Sequence, residues 1–382
     1  MISSLLDRAD YPALRERVYV NQASLGLIGQ PAVTTMHAFI ENVARHGNCY
    51  MSDSEETAYL GSLRKRAAAM LNSSEGQIAV VAGASEILGQ LPFLLQPKPG
   101  SMILAVSSDF PAITRPWLRQ AALRGYSIRF VDDDPEQDLT EVLVDAVDER
   151  TAVVAVGSVQ YATGTVVNIP RLRRVTAQAG ACLIVDATQA VGAMPVDAIA
   201  WDADAVVASG YKWLGGHGGV GLAVMSPLLL EQVPPLPGWM GAPDPFAFDA
   251  RSIQLADDAR RYTQSTMSYV SVAGLTVSLD QLLSLGADQI EEHARQLASI
   301  LVDGSAGYGW KPFRRPGEPA ASSHIISLAH SSKSIEQAAA ALRSRNIVCS
   351  TRGGRIRISL APYNDESDVD TVIEALAAVH AA

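Results

Sequence analysis

ACLIVDATQAVGAMPVDAIAWDADAVVASGYKWLGGHGGVGLAVM, residues 181–225, contains three short apolar runs, each closed by polar or glycine-rich turns. Short runs rich in Val, Ile and Ala, bounded by turn residues, read as strands buried on both faces. In open α/β sheets, ligands collect just past the carboxyl ends of strands. Two residues there stand out. ACLIVDA at 181–187 carries Asp186, and DAVVAS at 204–209 leads through Ser209-Gly210-Tyr211 into Lys212. A carboxylate at the end of a buried strand needs a charged or hydrogen-bonding partner. A turn-capping Asp is the plain alternative. A lysine in an apolar, glycine-dense setting loses solvation, and its lowered pKa makes it a usable amine nucleophile, as a Schiff base requires. A snorkelling surface lysine is the plain alternative. The glycines Gly215, Gly216, Gly218 and Gly219 count against that alternative, because close backbone approach makes sense beside a ligand or a subunit. Asp186 and Lys212 together tell more than either alone.

The same alternation extends outward. Helices are expected at 57–72, 84–95, 112–124, 138–147 and 170–179, with strands at 77–82, 101–106, 127–131 and 151–159 between them. The Pro- and Gly-rich stretch 232–250 reads as a loop. Beyond it the helical pattern resumes at 269–303. Strands at 323–329 and 355–360 and helices at 334–345 and 366–381 then make a smaller unit. The fold class is α/β: a large domain with a mostly parallel, seven-stranded sheet, then a smaller α+β domain. The boundaries expected are 1–20 for a segment packing on the small domain, 21–255 for the large domain and 256–382 for the small one.

Composition narrows the function classes. The chain has 382 residues, 48% hydrophobic and 18% charged, with a net charge of −10. That is an ordinary globular balance with ample core. The negative charge speaks against a nucleic-acid partner. Three cysteines, Cys49, Cys182 and Cys349, are too few for a disulfide framework. No apolar leader and no uninterrupted apolar span is visible, so the expectation is a cytoplasmic protein with no membrane partner. No metal site is assigned.

Two further strand ends carry candidates. Gly83-Ala84-Ser85-Glu86 leads straight into a helix, whose free N–H groups and small hydroxyl could take an anion; an ordinary Ser cap is the alternative. Ser108-Asp109-Phe110-Pro111 offers an aromatic that could stack on a planar ring, although plain core is the commoner fate of a Phe.

The stretches GSVQYATGTVVNIPRL, GACLIVDATQAVGAMPVD and DADAVVASGYKWLGGHGGVG resemble the class V aminotransferases, the fold-type-I pyridoxal phosphate (PLP) enzymes. That group includes cysteine desulfurases, kynureninases, isopenicillin N epimerase-like proteins and C–S lyases. VQYATG and DFP resemble the kynureninase-like branch in particular. The resemblance implies PLP on Lys212, with Asp186 paired to the pyridine nitrogen and Gln189 bonded to the ring's phenolic oxygen. It implies Ala84, Ser85, Ser209 and Tyr211 around the phosphate and Phe110 stacked on the ring. It implies Thr266 reaching the phosphate from a partner subunit, hence a homodimer with shared active sites. RIRISLAPYN, from Arg355, resembles the family's RxSxxxYN motif, which implies Arg357 as the clamp on a substrate α-carboxylate. Asn21-Gln22-Ala23-Ser24 resembles a substrate-facing loop, placing Asn21 and Ser24 at the substrate.

The resemblance implies an α-amino acid substrate taken through an external aldimine. Among the reactions that follow, β-elimination on a cysteine-derived substrate ranks first, because it needs only Cα deprotonation and a leaving group; secondary metabolism is the expected setting. Transamination, epimerisation, a kynureninase-like hydrolysis and decarboxylation remain open, as does a PLP-binding homologue without activity. Desulfurases use a nucleophilic Cys on a mobile loop. Here Cys349 lies in the short NIVCSTRGGRIRISL, eight residues before Arg357, and reads as a structural thiol. Gln189 also departs from the His of kynureninases.

Overall fold

The computed structural model describes residues 1–381. In chain order the strands are β1 Val18–Tyr19, β2 Ile78–Val81, β3 Met102–Val106, β4 Ser127–Val131, β5 Thr151–Gly157, β6 Cys182–Asp186, β7 Ala205–Ser209, β8 Gly221–Met225, β9 Trp310–Pro312, β10 Ile325–His330, β11 Ile347–Val348, β12 Ser350–Arg352 and β13 Arg355–Ser359. Seven of them form one sheet in the order β2-β8-β7-β6-β5-β3-β4. Only β8 runs against its neighbours. β2, β3 and β8 are buried along their whole length and β5, β6 and β7 at all but one residue, which is why their sequences are continuous apolar runs rather than alternating ones. One face packs with Leu104, Val154, Val185 and Val206, the other with Ile103, Val153, Ile184 and Val207.

A second, antiparallel sheet has the order β12-β13-β10-β9 and its own apolar cluster, including Leu297, Leu301, Ile356, Ile358 and Leu376. The short β1 pairs in parallel with β11. The first residues reach the same end of the molecule: Leu5 and Leu6 N–H donate to the Pro362 carbonyl, and Arg8 bonds Asp368 at 2.7 Å.

Two elements differ from the sequence expectation. Residues 269–303 form two helices, Tyr269–Leu285 and Ala287–Ala306, parted by Gly286 at φ +82° and bent by 78°. Gly286 alone takes that backbone turn without steric cost. The buried apolar side chains of the first helix join the large-sheet core; in the second, Ile290 does too, and those from Leu297 onward join the small one. Residues Gln30–His46, unassigned from sequence, are a helix with Pro31 in its first turn and Gly47 (φ +53°) at its end. Among the described residues no single helix is long and apolar enough to cross a membrane.

Candidate active site

The carboxyl ends of β2, β3, β5, β6 and β7 converge on one cavity. Its lining includes Ala84, Ser85, Phe110, Asp186, Gln189, Ser209, Tyr211 and Lys212. These are the residues expected from the sequence around one cofactor, and they come from four separated segments, past β2, β3, β6 and β7.

Lys212 is 7% exposed, whereas the other four lysines of the chain are exposed or half-buried. Burial pushes its amine down from 10.5 to about 8, against the opposing pull of the Asp186 carboxylate. Its Nζ lies 5.3 Å from the Phe110 ring centroid. The backbone behind it is fixed from both ends of the chain. Tyr363 Oη donates to Gln22 Oε1, and Gln22 Nε2 donates to the Lys212 carbonyl at 2.9 Å. Gly26 packs so close to that carbonyl that a Cβ there would collide with it.

Asp186 closes β6 and accepts from the Thr188 N–H at 2.9 Å through Oδ1. Burial holds its carboxyl above the ordinary range, countered by the Thr188 bonds and by Lys212. The helix Ala84–Leu95 begins at Gly83 with no side-chain cap. Its Ala84 N–H donates to Ser209 Oγ at 3.3 Å, so the hydroxyl and the helix N-terminus share one corner. Gly83 and Gly221 approach so closely that a Cβ on Gly221 would sit 2.8 Å from Gly83 Cα. That leaves a backbone-walled cradle of the kind an anionic phosphate occupies.

Gln189 is more engaged than expected. Its Oε1 accepts from Trp213 Nε1 at 2.7 Å and its Nε2 donates to the Ala23 carbonyl at 3.1 Å. One N–H remains for a ligand oxygen. Thr266 lies outside the cavity and is exposed. Arg357 is 1% exposed, on β13, and donates to the Tyr161 carbonyl at 2.6 Å and to Ser24 Oγ at 2.5 Å. Tyr161 itself lines the cavity. Burial, and then the nearby charge of Arg352, push the Arg357 guanidinium down to about 10. Asn21 bridges to Ser359 at the end of the same strand, but its Oδ1 is buried without a partner.

Sequence reasoning passed over Asp109, Tyr161 and Thr188, which also line the cavity. Asp109 is 7% exposed and accepts from Gly157 N (2.7 Å), Phe110 N (2.9 Å) and Gln160 Nε2 (3.2 Å). Burial raises its carboxyl to about 7. It ties the strand end bearing Phe110 to the VQYATG turn. The strand-end argument that singled out Asp186 applies equally to it.

The sequence model of the family "Aminotransferase class-V" matches residues 18–372. The chain belongs to this family. It is 27% identical over 312 residues to a probable cysteine desulfurase of Methanothermobacter thermautotrophicus, covering 79% of this chain and 77% of that one. It is 27% identical to the cysteine desulfurase CsdA of Escherichia coli, over 97% of this chain and 96% of the relative. In fold it matches a solved structure of a C-DES mutant with glycine covalently linked to its PLP cofactor, with a TM-score of 0.88 at 20% identity over 97% and 99% of the two chains. Nothing in these likenesses singles out a kynureninase-like or epimerase-like branch. Family and cavity together mark a PLP-dependent lyase or transferase. PLP is the cofactor the class V site fits: a buried amine, a buried carboxylate, an aromatic face and an anion cradle.

Proposed function

We propose that this enzyme catalyses β-elimination on a cysteine-derived α-amino acid, releasing the sulfur half as a thiol or persulfide. The observation that carries the reading is the buried Lys212 amine, poised near neutrality and facing Asp186 across one cavity. Bound PLP supplies a carbonyl that condenses with amines and a ring that withdraws electrons from Cα. Asp186 Oδ2 would hold the ring nitrogen's proton and keep the ring electron-poor. Phe110 would cover one ring face, and Ser85, Ser209 and the helix N-terminus would hold the phosphate. Arg357 would grip the substrate α-carboxylate in a charge-assisted pair. Lys212 Nζ, once displaced by the substrate amine, would take the Cα proton, and the Cβ–S bond would then break. Asn21 and Ser24 would line the substrate side.

We further propose a homodimer in which the exposed Thr266 of one subunit completes the phosphate site of the other, in the cytoplasm. The named relatives are desulfurases, but Cys349, the thiol nearest Arg357 in sequence, is poorly placed for that reaction. Cys349 joins β11 to β12, packs on the small-sheet core, and burial raises its thiol to about 11. A thiol so placed is neither exposed nor ionised at neutral pH.

A product screen tests the reading. Purified protein loaded with PLP should convert S-substituted cysteines to a thiol, pyruvate and ammonia. A keto acid retaining the intact substrate skeleton would mark transamination and refute it, and so would alanine as the product.

A further inference from the structure

The small sheet presents a face on which positive charge is left unanswered. Ser327 on β10, Arg357 on β13 and Ser350 on β12 are direct cross-strand partners, so the three side chains form one row on one face. Ser327 and Arg357 are each 1% exposed. In that row Ser327 Oγ, Arg357 Nε and Ser350 Oγ are all buried without a hydrogen-bond partner. Two residues beyond Ser350, Arg352 stands on the same face opposite Arg355. The turn between them, Gly353-Gly354 at φ +52° and +70°, is the tight hairpin that only such residues allow, and it fixes both arginines in place.

The three guanidiniums are not equivalent. Arg355 lies over the Phe313 ring at 4.9 Å. Arg357 has the neutral partners Tyr161, which lines the cavity, and Ser24. Arg352 donates only to its own neighbour, the Thr351 carbonyl, at 2.8 Å. No carboxylate forms an ion pair with any of the three among the described residues. Arg352 is also close enough to the site that its charge disfavours the protonated forms of both Lys212 and Arg357. A guanidinium on the same sheet face as the substrate clamp, with no internal anion, is built for an external one.

We propose that Arg352 binds a second anionic group of the substrate, so that the amino acid taken is an S-substituted cysteine whose substituent ends in a carboxylate or similar small oxyanion. This rests on the reading of Arg357 as the α-carboxylate clamp and of Lys212 as the amine's site. With those two ends fixed, the second anion must sit on the part beyond sulfur, the half that leaves.

The test compares S-(2-carboxyethyl)cysteine with S-propylcysteine, which differ at the terminal carboxylate, on PLP-loaded wild type and on Arg352→Gln. Wild type should favour the acid by at least about 10-fold in kcat/KM, the scale of one charge-assisted hydrogen bond. Arg352→Gln should bring that preference below about 3-fold while changing S-propylcysteine turnover little. In parallel, calorimetric titration with straight-chain dicarboxylates from succinate to adipate should show the best binder weakened by about 10-fold or more in Arg352→Gln, with Arg352→Lys recovering part of it. No preference in wild type, or equal loss on both conjugates, overturns the proposal; equal loss means that Arg352 serves the α-carboxylate or the fold. If neither conjugate turns over, the titration decides, and unchanged dicarboxylate affinity in Arg352→Gln overturns it. Failure of the cofactor reading shows separately, as wild type that takes up no PLP.

Discussion

The carboxyl edge of the large sheet and the face of the small sheet both bury charge next to the same cavity, but they treat it differently. At the large sheet the charges are answered from within. Lys212 faces Asp186, Asp186 takes the Thr188 N–H, and Asp109 takes three N–H groups. At the small sheet, Arg357 has only a carbonyl and a hydroxyl, and Arg352 only its neighbour's carbonyl. Burying an ion without a counter-charge is costly. The difference teaches that the first region is a platform complete in itself, ready for a protonated ring and a phosphate. The second is incomplete until an anionic substrate arrives.

The sharpest way to break this division is Lys212→Ala. The amine is the one group of the platform that must both bind and move a proton, so turnover should fall on the order of 10⁴-fold or more, measured as pyruvate release. Ordinary turnover would mean that the reacting amine lies elsewhere. Next in size is Arg357→Ala. It should raise KM for an α-amino acid by about 100-fold while PLP uptake, followed by absorbance, stays close to wild type. Loss of PLP binding instead would show that Arg357 belongs to the platform.

A pH profile sharpens the comparison further. Because the Lys212 amine is lowered to about 8, its neutral fraction grows as pH rises and saturates above that value. The rate of PLP uptake by cofactor-free protein should climb about tenfold per pH unit below 8 and then level off. Between about 8 and 10.5 the unfolded chain holds a proton that the native lysine has lost. The stability of cofactor-free protein should therefore gain a rising contribution with pH across that window, one that Lys212→Met removes. The smallest effect belongs to Cys349→Ser, which should leave elimination within about 2-fold, since the thiol packs on the small-sheet core away from the cavity.

Much of the platform was legible in the sequence for one physical reason. Strands buried on both faces must be continuous apolar runs, so a charged residue at their ends announces a site, as Asp186 and Lys212 do. Asp109 was equally visible and was passed over for the aromatic beside it. The resemblance supplied Gln189 and Arg357, and the roles given to Phe110 and Ser209. What it could not supply were pairings made across the chain. Ser24 meets Arg357 over 333 residues, and Gln189 is held by Trp213 and Ala23. The isolation of Arg352 depends on which side chains surround it, and the row Ser327–Arg357–Ser350 exists only through strand register. The break at Gly286 was hidden because both flanking helices carry the same period.

The most direct test of the platform is to load the purified protein with PLP, reduce it with borohydride and map the labelled peptide by mass spectrometry. The chain has five lysines, Lys65, Lys98, Lys212, Lys311 and Lys333. The expected result is a yellow protein absorbing near ~420 nm before reduction and one phosphopyridoxyl group, on Lys212. A colourless protein that takes up no PLP, or a label on any of the other four lysines, would contradict it.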